Sequence, residues 1–116
     1  MSRPITLGLA LAALIALPAV AHHGWSSFQD ETFVLDGTIE EVYFGNPHST
    51  LEVSNDEGMW HVDLAPPNRT ARAGVNEDTI AVGDAVTATG NRHRDPAVLA
   101  MKARAIEVRG QTFEVY

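Results

Sequence analysis

Short stretches in which apolar and polar residues alternate, separated by turn-forming residues, constrain the fold of this chain more than any other feature. The clearest is MWHVDL, residues 59–64. Trp60, Val62 and Leu64 lie on one face of such a segment, and His61 lies on the other. A period of two is typical of a β-strand with one buried face. We therefore predict a strand here, with the tryptophan face in the core and the histidine outside.

Other segments read in the same way. Residues 32–44 are rich in β-branched and aromatic residues, and Gly37 predicts a bulge or bend in one long strand. NDEG (55–58) is typical of a hairpin turn. PPNRTARAG predicts a short helix, with Asn68 as its N-cap and Gly74 as its C-terminal stop. VLAMKARAIEVRG (98–110) is ambiguous by period, but its valine and isoleucine and its place after a turn favour a strand.

The resulting order is three strands, a short helix, and two or three more strands. It predicts a mainly β fold: a small five- to six-stranded OB-like Greek-key barrel with one short helix. A small open sandwich is the alternative. We assign residues 32–116 to this domain and residues 22–31, which lack a clear period, to an N-terminal arm.

The first twenty-one residues are predicted to be a secretory signal peptide. Arg3 precedes the uncharged apolar run 5–17, and Ala19-Val20-Ala21 has the small residues that a signal peptidase reads. The run is shorter than the ~20 residues that span a bilayer, which disfavours a membrane anchor. Cleavage between Ala21 and His22 leaves 95 of the 116 residues, and we expect the mature protein to be periplasmic or secreted.

Composition limits the partners and the chemistry. The formal charge of −7 becomes −8 when Arg3 is removed, which argues against binding nucleic acid or anionic membranes. The chain contains no cysteine, so disulfides and thiolate metal sites are excluded. A metal ion would need histidine, carboxylate or backbone ligands.

The adjacent His22 and His23 at the predicted cleavage point indicate a copper site. After cleavage, the α-amine and ring of His22 can chelate one ion, and an imidazole from elsewhere completes a histidine brace. Alternatively, the amine, the His22–His23 amide nitrogen and the His23 ring can bind copper(II). Both modes need a free amine at His22, whose pKa near ~7.7–8.0 permits deprotonation near neutral pH. A solvated chain end without metal is the competing interpretation.

The three remaining histidines differ in how well their sequence context suits a metal ligand. His48, in the turn NPHST, is the best internal ligand, with a local hydrogen-bonding role as the alternative. His61 is a further metal ligand in this hypothesis, although a cross-strand polar pair near Asp63 is favoured. His93 lies between two arginines, which disfavour a bound cation.

The sequence therefore predicts a periplasmic copper-binding protein, for copper holding or delivery, with His22, His23, His48 and His61 as metal ligands. The alternative is a non-metal OB-type module in which Trp25 and Phe28 help to dock a periplasmic protein partner or a small ligand. No nucleophile or acid–base pair has supporting spacing, so an enzyme is the least favoured class.

Four segments carry a resemblance: AHHGWSSF, GTIEEVYFGNPHSTLEV, WHVDLAPPN and VGDAVTATGNRHRD. Together they resemble a family of small exported bacterial proteins that carry a domain of unknown function. This family is marked by His-His-Gly-Trp after the signal peptide and by Asn-Pro-His at a strand turn. The resemblance covers the mature chain and implies export and a fold without implying an activity. It also implies that His22, His23 and His48 belong to one pattern.

Overall fold

The computed structural model describes residues 25–116, which form six strands and one short helix. The mainly β fold with one short helix is thus confirmed. The predicted signal peptide, the cleavage point, and His22 and His23 of the arm lie outside the described residues. The elements are β1 (Phe28–Tyr43), β2 (Thr50–Asn55), β3 (Gly58–Asp63), α1 (Pro67–Arg72), β4 (Ala85–His93), β5 (Ala100–Val108) and β6 (Gln111–Glu114).

The strands form one sheet in the order β3-β2-β1-β4-β5-β6, in which all neighbours are antiparallel. One further pairing joins β3 to β5 in parallel, with Val62 opposite Met101 and Asp63 opposite Lys102. The backbone N–H of His61 also donates to the carbonyl of Leu99 at 3.0 Å. Strands that are distant in the sheet order therefore meet along a short stretch.

The long strand β1 serves two neighbours. Its first half pairs with β4 and its second half with β2, and Thr38 is in register with both strands. The predicted irregularity is present, since the β1–β2 register shifts between Ile39 and Glu41. At Gly37 a Cβ would lie 2.4 Å from the carbonyl oxygen of Ser54 on β2, so this close approach of β1 to β2 requires glycine.

The strand begins at Phe28, four residues before the predicted start at Thr32. Residues 28–31 therefore belong to β1 rather than to an irregular arm. The register with β4 shifts between Phe28 and Thr32, and the side-chain amide of Asn91 donates to the carbonyls of residues 29–31 at 2.9–3.4 Å. This bulge removes the regular alternation by which a strand is recognised in sequence.

The core lies under the faces that alternation predicted. Trp60, Val62 and Leu64 are fully buried, whereas His61 is exposed. The indole N–H of Trp60 donates to Oδ1 of Asn55 in the predicted hairpin turn at 3.2 Å. The largest other apolar side chains in this core are Ile39, Leu51, Ile80, Met101, Ile106 and Phe113.

The helix α1 has only six residues and differs at its start from the prediction. Pro66 is the N-cap, without a side-chain cap, and Asn68 lies inside the first turn, so the predicted asparagine cap is wrong. The helix ends before Gly74, whose φ of 100° provides the predicted stop. Among residues 25–116, no helix has the length and apolar character that crossing a membrane requires.

The ambiguous segment 98–110 contains strand β5, as predicted. A register shift places Thr89 opposite Ala105 but Gly90 opposite Ala103, so Arg104 is the extra residue of a bulge. Consecutive side chains on either side of this bulge no longer alternate simply. This explains why neither period describes the segment well.

Candidate functional site

A row of polar residues crosses the outer face of the sheet. Thr50 on β2 lies opposite Asp63 on β3, which lies opposite Lys102 on β5, which in turn lies opposite Asn91 on β4. Residues that share a register position stand side by side on one face, about 4.5–5.5 Å apart. The β3–β5 pairing is therefore what places a carboxylate beside a lysine here.

Lys102 is the most unusual member of this row, since it is only 2% exposed. Its ammonium lies 4.9 Å from the ring centre of Trp25 and 5.3 Å from that of Tyr116. The two rings meet edge to face with their centres 5.3 Å apart. Burial lowers the pKa of Lys102, and the charge of Asp63 opposes this effect. Trp25, Tyr116, Lys102, Asp63 and His48 are hereafter called the Lys102 cluster.

Two arginines border the cluster on its aromatic side. The guanidinium of Arg69, from α1, lies 4.8 Å from the ring centre of Tyr116, and that of Arg104, from the β5 bulge, lies 4.7 Å from that of Trp25. Arg104 also donates to Oδ1 of Asn91 at 3.0 Å. Cations over the faces of aromatic rings are attracted by the ring quadrupole. These contacts hold Trp25, the first described residue, against the outer face of the sheet.

Asp63 connects the cluster with a second group of charges. Its Oδ1 lies 3.1 Å from Nε2 of His61. Burial acts to raise the pKa of Asp63, but the hydrogen bond and charge of His61, with the charges of Lys102 and His48, lower it on balance. This carboxylate is therefore held in its ionised form.

His48 lies just before β2, at the end of the turn that leads into this strand. The N–H of the next residue, Ser49, donates to the carbonyl of Ala65, and the N–H of Leu64 donates to the carbonyl of Ser49, so the chain after His48 is bonded to the residues that follow β3. His48 is half-buried. Burial and then the charge of Lys102 lower its pKa, while Asp63 opposes them.

His61 adopts the cross-strand polar pairing that the sequence favoured over a ligand role. Its Nδ1 lies 2.6 Å from Oε1 of Glu52, its register partner on β2, and its Nε2 contacts Asp63. The hydrogen bond with Asp63 is the main cause that raises the pKa of His61 to about 9, with a further contribution from Glu52. In this arrangement both ring nitrogens of His61 contact carboxylates, which leaves neither available as a metal ligand.

The other sequence-predicted groups lie apart from the cluster or outside the described residues. His93 packs edge to face against Phe28, and its Nδ1 accepts from the N–H of Asp95 at 3.0 Å. Within residues 25–116, no three histidine or acidic side chains are arranged to hold a metal ion. A site built on His48 would therefore need ligands from His22 or His23, which lie outside the described part of the chain.

Sequence reasoning did not single out Lys102 or Tyr116. A signal was available for the first, because Lys102 is the only lysine of the chain and lies within the apolar run VLAMKARAI. A lysine is almost never fully buried unless it is paired, so a lysine within an apolar run is an unusual feature. Tyr116 carries no comparable signal, since its contact with Trp25 joins the two ends of the described chain.

A separate cleft of about 330 Å³ lies between α1 and the turn before β2. Its lining is mainly apolar, with Phe44, Pro67, Ala71 and Val75 among its residues. Ser49 also lines it, and within residues 25–116 the buried hydroxyl of Ser49 has no hydrogen-bond partner. A buried hydroxyl without a partner is costly, so this cleft is the second feature with the character of a binding site.

Comparison with protein families matches residues 10–102 to DUF6152, a family of unknown function. The matched range is most of the chain and includes every strand up to the first part of β5. It agrees with the expected domain of unknown function. A search among curated proteins found no match.

Proposed function

The chain belongs to the DUF6152 family of unknown function, and on this premise we propose that it is an exported copper-binding protein that holds or delivers copper. Residues 1–21 are removed on export, and His22 becomes the first residue. The amine and ring of His22 bind copper together with the ring of His48. Chelation through the amide nitrogen and the ring of His23 is the alternative use of the same amine.

The position of Trp25 is the observation that carries this proposal. Its ring packs on Lys102, which is the register partner of Asp63, and the charges of Lys102 and Asp63 both act on His48. Only three residues separate the amine of His22 from Trp25, and three residues span at most about 10–11 Å. We propose that the N-terminus reaches His48 over this distance, so that the amine of His22 and the ring of His48 share one metal ion.

The donor chemistry favours copper over other divalent ions. The site would offer an amine and imidazoles, and nitrogen-rich sites bind copper(II) most tightly in the order of divalent metals. The positive charge of Lys102 would oppose a bound cation, but Asp63 beside it supplies a compensating negative charge. His61 is left out of this ligand set because its ring nitrogens already contact Glu52 and Asp63.

The test uses protein recovered after export, with its N-terminus established by intact mass. Copper(II) is titrated in and the EPR spectrum is recorded. One extra alanine before His22 removes the amine from its chelating position, and His48→Ala removes the internal ligand. We expect His48→Ala to weaken binding and both changes to alter the spectrum, whereas His93→Gln, the matched loss of a histidine elsewhere, leaves the spectrum unchanged. An unchanged spectrum in the alanine-extended protein contradicts the proposal.

The single lysine permits a second, independent test. A protein that starts at His22 has only two amines, the α-amine and Lys102. Lys102 is 2% exposed and serves as a slowly reacting internal reference. Brief treatment with an amine-reactive reagent, followed by peptide mass spectrometry, should label the α-amine without copper and spare it with copper. Equal labelling in both conditions would show that the amine does not bind the metal.

We also propose that the sheet closes into the OB-like barrel that the sequence predicts. The pairings β1–β2, β2–β3, β3–β5, β5–β4 and β4–β1 form a ring of five strands, and β6 lies outside it; this supports closure. In a closed barrel, the N–H of His61, which donates to Leu99, resists hydrogen exchange as well as the central strands do. Fast exchange at His61 would indicate an open sheet.

A second candidate function, a module that binds a small ligand, is favoured by the cleft beside α1. Apolar side chains and the unpartnered hydroxyl of Ser49 suit a small apolar molecule with one hydrogen-bonding group. Small phenols screened by NMR should then shift resonances of Ser49 and Ala71. Ala71→Trp, which fills the cleft, should abolish these shifts, with Arg72→Trp on the same helix as control. Shifts that persist in Ala71→Trp would contradict binding in this cleft.

A further inference from the structure

Two walls of the cleft beside α1 are tied to one backbone carbonyl. The carbonyl of Ala65 accepts the N–H of Ser49, just before β2, at 3.0 Å and the hydroxyl of Thr70, in α1, at 2.8 Å. Thr70 is only 1% exposed, so the helix is anchored to the sheet from its buried side. The cleft is therefore preformed, as most sites for small ligands are.

The turn after Gly74 forms a further wall and carries the charge of the cleft. Among the lining residues within 25–116, Glu77 is the only ionisable one. Its two neighbours are both held in place: Oδ1 of Asn76 accepts the N–H of Asp78 at 2.8 Å, and the N–H of Asn76 donates to the hydroxyl of Thr79 at 3.0 Å. The backbone that carries this carboxylate is thus fixed at the cleft.

We infer that the ligand of this cleft carries an ammonium group, which Glu77 binds at the mouth, while Ser49 binds a hydroxyl group deeper inside. This inference rests on the second candidate function, a site for a small ligand beside α1. Ser49 is 1% exposed whereas Glu77 is exposed, so the two polar groups lie at different depths of an apolar cleft. A carboxylate attracts a cation and repels an anion. An ammonium group is also attracted to the face of an aromatic ring, and Phe44 lines the same cleft.

The test uses three phenols that share a two-carbon chain and differ in what that chain carries. Tyramine is cationic, para-ethylphenol is neutral and para-hydroxyphenylpropionate is anionic. NMR titrations of the wild-type protein follow the resonances of Ser49 and Ala71. We expect tyramine to bind about 2- to 5-fold more tightly than para-ethylphenol, which is the range for an exposed ion pair, and the anionic phenol to bind most weakly.

A pair of carboxylate variants assigns this order of affinities. Glu77→Gln should remove it, so that tyramine binds no more tightly than para-ethylphenol. Glu57→Gln is the matched control, because it makes the same change of net charge at a residue that does not line the cleft. Glu57 also follows an asparagine turn, in which its N–H donates to Oδ1 of Asn55 at 2.9 Å. We expect Glu57→Gln to keep the order of the three phenols.

Ser49→Ala tests the other end of the ligand. It removes a buried hydroxyl that has no hydrogen-bond partner within residues 25–116, so the substitution should not weaken the fold. All three phenols should lose about 2- to 10-fold in affinity, the range for one hydrogen bond, while their order is kept.

The outcomes separate the inference from the function on which it rests. If none of the three phenols shifts the resonances of Ser49 and Ala71, the second candidate function fails and the inference fails with it. If para-ethylphenol binds but tyramine binds no more tightly, or if Glu57→Gln removes the order as Glu77→Gln does, the role of Glu77 is wrong and the cleft remains a binding site. A loss of affinity in Ser49→Ala that is confined to tyramine would contradict the orientation of the ligand.

Discussion

Among the glycines of residues 25–116, Gly90 should be the one whose replacement with alanine destabilises the fold most. Gly90 lies in β4 at the register shift opposite the Arg104 bulge. A Cβ there would lie 2.0 Å from the carbonyl oxygen of Lys102 and 2.9 Å from Cα of Ala103. Both neighbours are backbone atoms, so relief requires the two strands to separate.

The expected cost follows from these contacts. Carbon and carbonyl oxygen normally approach to about 3.3–3.6 Å, so the methyl group forces a displacement of more than about 1 Å. Overpacking of this kind costs about 1–3 kcal/mol, and the disturbance of about two ladder hydrogen bonds adds about 1 kcal/mol each. We expect Gly90→Ala to lower the free energy of unfolding by about 3–5 kcal/mol, a large share of the total for a small domain.

Gly83→Ala is the matched control. Gly83 has a φ of 95°, and nothing lies within 4 Å of an added Cβ, so only backbone strain remains. That strain lowers the free energy of unfolding by about 1–2 kcal/mol. The reduced conformational freedom of the unfolded chain offsets about 0.4–1 kcal/mol of this loss. Urea unfolding of both variants, followed by tryptophan fluorescence and circular dichroism, measures the difference. If Gly90→Ala is no less stable than Gly83→Ala, the packing of β4 on β5 described above is incorrect.

Three further predictions address the charges and aromatic rings of the outer face. The stabilisation from the raised pKa of His61 is complete below pH 6.5 and is lost as pH rises through about 9. Because 46% of the side chain is exposed, we expect this stabilisation to be about 1 kcal/mol, measured by urea unfolding of the wild-type protein and of His61→Gln. An equal pH dependence in the variant would refute this prediction. Lys102→Met, which keeps the apolar length of the buried side chain, should change the free energy of unfolding by no more than about 1 kcal/mol, whereas Lys102→Ala should lower it by about 2 kcal/mol or more through lost packing. Thermal unfolding in which Lys102→Met is less stable than Lys102→Ala would contradict a packing role. If copper binds beside Trp25, copper(II) should quench the fluorescence of Trp25, and Trp25→Phe should remove most of the quenching. Quenching that persists in this variant would come from Trp60 and would place the metal elsewhere.

Part of the candidate site was predictable from the sequence because it depends on local pattern. Alternation in MWHVDL placed Trp60 in the core and His61 outside, next to Asp63, and the structure confirms these positions. The turn NPHST pointed to His48 as a residue at the edge of a strand. A period of two involves only residues that are close in sequence, so it can be recognised without knowledge of the tertiary structure.

Features that involve bulges were harder to predict. The shift near Phe28 concealed the start of β1, and the extra residue Arg104 concealed the alternation of β5. One inserted residue reverses which side chains face the core, so a pattern read across it averages to no period. The helix cap at Asn68 failed for another reason: Pro66 and Pro67 already fix the backbone at the start of α1.

The sequence by itself determined most of the strands and their buried faces. Only the tertiary structure decided that Asp63 and Lys102 stand side by side, because that contact depends on the parallel pairing of β3 with β5, two strands far apart in the chain. It also decided that Trp25 packs over Lys102 and against Tyr116, which brings the two ends of the described chain together. Local periodicity specifies which face a residue occupies, whereas its partner across that face is selected by the pairing of strands that are far apart in the chain.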